Sequence, residues 1–96
     1  MFDKMKGLME MKKQAERVKK ELDHATVEVN AVNGVKIVIS GSQNFRSLEI
    51  DEALVAGQNK AKLERDLLTS VNAAIKQSQN LAAVKMREVM PGFPGV

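Results

Sequence analysis

Residues 26–50, TVEVNAVNGVKIVISGSQNFRSLEI, decide the fold, because within them the hydrophobic period is two. Val27, Val29 and Ala31 alternate with Glu28 and Asn30. Val35, Ile37 and Ile39 alternate with Lys36, Val38 and Ser40, and Leu48 and Ile50 with Ser47 and Glu49. An extended chain sends successive side chains to opposite faces, so the stretch reads as three short antiparallel strands. Asn33-Gly34 marks the first turn. A two-residue loop there would set Val29 opposite Val38 and Glu28 opposite Ile39, mixing polar and apolar residues on one face. A three-residue loop, Val32-Asn33-Gly34, pairs Ala31 with Val35, Val29 with Ile37 and Val27 with Ile39, and all six share a face. The expected turn is type I, with Gly34 left-handed as a G1 bulge. At the second turn, pairing Ile39 with Leu48 and Ile37 with Ile50 leaves a tight connection around Gln43-Asn44, with Gly41 facing Arg46. The other face collects Thr26, Glu28, Asn30, Lys36, Ser40, Ser47 and Glu49, with Val38 its one clear apolar member and Phe45 at its edge. That face carries more acid than base.

Upstream the period changes. Leu8, Met11, Ala15, Val18, Leu22 and Ala25 are spaced three and four apart, an a/d heptad stripe. This predicts a helix from Phe2 to about His24, roughly 33 Å long at ~1.5 Å per residue. The narrow stripe predicts contact with another helix. Downstream, Asp51-Glu52 and a turn-like Ala53–Ala56 lead to a break at Gly57. Asn59 is the expected N-cap of a second long helix that Pro91-Gly92 ends. Its apolar set includes Leu63, Leu67, Leu68, Val71, Ala74, Ile75, Leu81, Ala82, Met86 and Val89. Between Asp66 and Lys85 its only charge is Lys76, which predicts a mostly covered helix. Ala73-Ala74 and Ala82-Ala83 would admit another backbone closely.

The expected order is helix, three-stranded meander, helix: an α+β protein with one domain over residues 1–90 and a flexible Pro/Gly tail over 91–96. A strand of ~6 residues spans only ~20 Å, so both helices overrun the sheet. Their excess length predicts a helix partner, and a symmetric homodimer is its simplest source. The packing residues of such an assembly are Leu8, Met11, Ala15, Val18, Leu22, Leu67, Val71 and Ile75.

The chain has 96 residues, a net charge of +3, no Cys and one His. Without Cys there are no disulfides and no thiolate metal ligands. His24, at the helix–strand junction, suits a helix C-terminus, where the dipole favours it. Lacking a nucleophile–base pair, a set of three or four metal donors, or a Gly-rich phosphate loop, the chain is not expected to be an enzyme. It calls for no catalytic residue, metal, cofactor or small-molecule substrate. No apolar run approaches the ~20 residues that span a bilayer, and MFDKMKGLMEMKK has no signal-type apolar core. Cytoplasmic residence without membrane attachment is expected.

The remaining signal is the placement of charge. With Leu8, Ala15 and Leu22 at position a of the heptad, Lys6, Lys13 and Lys20 fall at f and Lys12 and Lys19 at e. Glu10, Glu16, Asp23 and Arg17 lie on the neighbouring side. One reading is a solvated face with local support such as Glu16 to Lys20. The other is a contact with a polyanion. Antiparallel helices would bring Lys4 and Lys6 toward Lys85 and Arg87. Lysines suit the phosphates of duplex DNA without reading bases. The absence of Trp and Tyr argues against a stacking platform for single strands.

Two segments carry a resemblance. MKKQAERVKKEL (residues 11–22) and, more specifically, VKIVISGSQNFRSLEIDEALV (residues 35–55) resemble the YbaB/EbfC family of bacterial nucleoid-associated DNA-binding proteins. The resemblance spans nearly the whole chain. It implies an α-β-β-β-α protomer, a tweezer-like homodimer with projecting helices, and binding of double-stranded DNA in nucleoid organisation or gene regulation. A helical module docking a recombination or replication factor is the alternative that the heptad stripe leaves open.

Overall fold

A computed structural model describes residues 2–89. The order is α1 (Phe2–His24), β1 (Thr26–Val32), β2 (Val35–Ser40), β3 (Phe45–Ile50), the short α2 (Glu52–Ala56) and α3 (Lys60–Val89). This is the expected α-β-β-β-α order, and the sheet is an antiparallel meander with β2 at its centre. The expected tail, 91–96, lies outside the described residues.

β1 and β2 pair through Val27–Ile39 and Val29–Ile37, as the alternation predicts. The turn itself differs. Val32, not Ala31, faces Val35, and the irregularity falls within β1, between Val29 and Val32. Gly34 does take a positive φ of 90°. The bulge turns the larger Val32 inward, where it is half-buried, and leaves Ala31 exposed. Burying the larger apolar side chain is worth more.

The β2–β3 register is two residues away from the expected one. Ile37 faces Leu48, Val35 faces Ile50 and Lys36 faces Glu49. A shift of two keeps each residue on its face, so periodicity could not detect it. The connection is stabilised locally: Ser40 N–H donates to Asn44 O (2.9 Å), Asn44 N–H donates to Ser40 Oγ (3.1 Å), and Gln43 takes a φ of 65°. Ser40, expected to face water, is fully buried in this corner. A second irregularity, between Val38 and Ile39, leaves Arg46 as the extra residue and sets Phe45 opposite Ile39. Phe45 therefore joins the inner face rather than the edge of the outer one, and Arg46 does not face Gly41.

α3 lies over β1 and β2. Val29, Val35, Ile37, Ile39 and Ala74 form the buried core, with Val27, Leu54, Leu67, Val71 and Ala73 packed around it. Each large core side chain contributes about 1.5–3 kcal/mol. Ser70, Ala74 and Ser78, four residues apart, are essentially inaccessible to solvent and make a small-residue track that brings α3 close to the sheet. The hydroxyls are satisfied: Ser70 donates to Asp66 O (2.7 Å) and Ser78 to Ser40 O (2.6 Å). Asn59 caps α3 as expected, its Oδ1 accepting from Lys62 N–H at 3.0 Å.

α3 does not cover β3. Phe45 and Leu48, on the inner face, are 50% and 53% exposed. The molecule measures 66 × 20 × 17 Å, with a radius of gyration of 18.4 Å. A compact domain of this length would have about 12–13 Å. Both long helices overrun the sheet, as their lengths predict.

Candidate nucleic-acid interface

The overrun begins at one corner. Ser78 of α3 bonds the Ser40 carbonyl, and Leu22 of α1 packs against the next residue, Gly41. A Cβ on Gly41 would lie 3.1 Å from Leu22 Cδ2 and 3.3 Å from Leu22 O. From this corner α1 runs back toward its N-terminus while α3 runs on toward its C-terminus, so the two lie antiparallel. Val18, one turn out on α1, is buried; Leu81, Ala82, Ala83, Lys85 and Met86 of α3 are half-buried. Beyond that, from Met5 to Arg17, every residue of α1 except Gly7 is exposed. Ala15 is exposed, and Leu8 and Met11 are 66% and 67% exposed. Of the expected packing residues, Val18, Leu22, Leu67, Val71 and Ile75 are buried or half-buried within this chain, whereas Leu8, Met11 and Ala15 are not.

Six basic residues of α1 face solvent: Lys6, Lys12, Lys13, Arg17, Lys19 and Lys20 are exposed. Among the described residues none of them has a carboxylate oxygen within 4.0 Å, and the expected Glu16–Lys20 pair does not form. The side chain of Lys4 lies outside the described residues. On α3, Lys85 is held by Glu88 at 3.3 Å, and Arg87 is exposed. At ~1.5 Å per residue from the shared corner, Lys85 stands ~10 Å and Arg87 ~14 Å out. They are level with Ala15 and Lys13, whereas Lys6 stands ~24 Å out.

The sheet and its connections are electrostatically the opposite. Outside α1 and α3 the only basic residues are Lys36 and Arg46, against Glu28, Glu49, Asp51 and Glu52. Both cations are engaged. Lys36 Nζ lies 3.0 Å from Glu49 and 3.8 Å from Glu28. Its hydrogen bond to Glu49 and the charges of both acids raise its pKa above the usual lysine range. Arg46 Nη2 donates to Asp23 O at 2.9 Å. The positive charge available to a partner therefore sits on the helices, and the outer sheet face would repel an anion.

His24 serves structure: its Nδ1–H donates to Lys20 O at 2.8 Å, closing the last turn of α1. Among the described residues no three His, Asp or Glu side chains converge as metal ligands, and no helix is long and apolar enough to cross a membrane. The sequence reading missed Ser70 and Ser78 as core residues. Their four-residue spacing through Ala74 was the available signal.

Known proteins resemble this chain in sequence and in fold. The sequence model of the YbaB/EbfC DNA-binding family matches residues 1–93. The chain is 34% identical over 95 residues to a protein of Moorella thermoacetica named nucleoid-associated protein, covering 93% of this chain and 91% of the relative. It is 32% identical over 96 residues to an uncharacterized protein of Mycoplasma pneumoniae, covering 95% and 96%. The crystal structure of an uncharacterized protein from Helicobacter pylori superposes with a TM-score of 0.74 at 18% identity, over 93% of this chain and 97% of the other, and so shares the fold.

Proposed function

This chain belongs to the YbaB/EbfC DNA-binding family, and on that premise we propose that it is a nucleoid-associated protein that binds duplex DNA as a homodimer. Binding is mainly to phosphates, with weak sequence preference, and serves nucleoid organisation or gene regulation in the cytoplasm. One observation carries the reading: six cations of α1, Lys6, Lys12, Lys13, Arg17, Lys19 and Lys20, free of carboxylate partners among the described residues, stand on a helix that projects from a neutral-to-acidic body. Lysine reaches phosphate as a flexible point charge and reads no base edge, which fits weak preference. Nothing in this reading calls for a catalytic step, cofactor or small-molecule substrate.

The homodimer is supported by the apolar surface that one chain leaves bare. Phe45 and Leu48 on the sheet, and Leu8 and Met11 on the arm, are each at least half exposed. A symmetric partner would cover such surface and double the basic arms. The exposed outer half of the α1 stripe also favours a second reading, a helix that docks a recombination or replication factor.

Reversing Lys6, Lys13 and Lys20 to Glu separates the two readings. All three are exposed, so folding is retained. A gel shift with random duplex at low salt should lose the bound band, whereas a complex formed through the apolar stripe should survive. Undiminished DNA affinity of the triple variant would remove the lysine stripe from the account.

A further inference from the structure

We propose that Arg46 is a positioning residue that fixes the direction of the α1 arm, and that it does not contact DNA. The consequence for DNA rests on the functional reading above, whereas the effect on the arm does not. Arg46 lies on the strand farthest from α1 in sequence, yet its guanidinium donates to the main-chain oxygen of Asp23, in the last turn of that helix, at 2.9 Å. One feature of β3 makes this reach available. The shift of register between Val38 and Ile39 leaves Arg46 as the extra residue of the strand, and a bulge re-aims the side chain it carries. The last carbonyls of a helix lack intrahelical donors and carry the negative end of its dipole, so a guanidinium is a well-matched partner for one.

Arg46 completes a root around which the arm is held from several sides. Gly41 N–H donates to Ala25 O at 3.0 Å, directly after the helix. Leu22 packs on the Cβ-free side of Gly41, and His24 bonds back to Lys20 O at 2.8 Å. Of these, only Arg46 ties α1 to β3. From Arg17 back to Met5 the helix has little cover from its own chain, so its direction depends on this root. Lys6 stands ~24 Å out, so a tilt of ~10° at the root would move it by ~4 Å, enough to break a phosphate contact. A fixed arm binds better because less freedom is lost on binding.

The test compares wild type, Arg46→Ala and Lys13→Ala. Fluorescence anisotropy on a random 30-base-pair duplex across a salt series gives affinity and slope together. Arg46→Ala should weaken binding roughly threefold to tenfold, with the slope of log K against log salt unchanged. Lys13→Ala should reduce the magnitude of that slope by about 0.9, one phosphate fewer. A similar fall for Arg46→Ala would make it a phosphate contact and overturn the proposal, as would unchanged affinity. Hydrogen exchange without DNA supplies the second readout. Arg46→Ala should speed exchange in residues 18–25 while β1 and β2 keep their protection. Unchanged exchange there would overturn the proposal whether or not the protein binds DNA. If wild type fails to bind but exchange responds as expected, the functional reading falls and the arm's anchor stands.

Discussion

The hydroxyl of Ser78 on α3 donates to the main-chain oxygen of Ser40 at 2.6 Å, fully buried between helix and sheet. That oxygen also accepts Gln43 N–H at 3.1 Å, so one carbonyl joins α3, the end of β2 and the turn into β3. Ser78→Ala removes one of two donors and little volume; it should cost about 1 kcal/mol. Ser78→Val adds bulk where α3 has no room to shift, and should cost roughly 1–3 kcal/mol by overpacking in addition to the lost bond. Urea midpoints at an unchanged m-value check both, with Ser78→Val the less stable.

Leu48 is 53% exposed in the single chain although its partner across the ladder, Ile37, is a core residue. If the homodimer covers this face, Leu48→Glu leaves the protomer folded and abolishes the assembly. Light scattering of the wild type at micromolar concentration should give twice the 10.6 kDa chain mass. The variant should give the chain mass, with an unaltered circular dichroism spectrum and weakened DNA binding. A monomeric wild type would contradict the dimer.

Lys36 holds its proton more tightly folded than unfolded, because Glu49 bonds it and Glu49 and Glu28 both oppose its charge. Such a group contributes stability that is fully present below the unfolded lysine pKa of ~10.4, and loses it as pH rises through the raised folded value. The raised pKa of Lys36 therefore adds no pH dependence near neutrality. Glu49→Gln removes the larger cause and should bring the Lys36 pKa back toward the ordinary value, measured by NMR titration of its side chain. High salt should shrink the difference, since the group is solvent-facing.

The limits of the sequence reading follow from what periodicity encodes. Alternation assigned Val29, Ile37 and Ile39 to the core, because a strand that buries one face must repeat every two residues. It could not distinguish the Ile37–Leu48 pairing from a neighbour two residues away, which puts the same side chains on the same face. Phe45 was misplaced for a different reason: the irregularity at Arg46 breaks the alternation that the reading assumed. The heptad of α1 identified a helix and a stripe but not its cover, which within one chain reaches Val18 and Leu22 and leaves Leu8 and Met11 bare. For the candidate interface, composition and spacing pointed to the lysines of α1. That Lys36 and Arg46 are already engaged depends on strand register and on a bulge, and no local pattern carries either.

The central claim is that the projecting cations of α1 grip DNA phosphates with little regard for sequence. A salt titration of binding to several unrelated duplexes of equal length tests it most directly. The account predicts that log K falls linearly with log salt, with a slope of about −0.9 for each phosphate neutralised. It also predicts parallel lines for all the duplexes, separated by little. Undetectable binding at low salt, or a strong preference for one duplex that persists as salt rises, would contradict it.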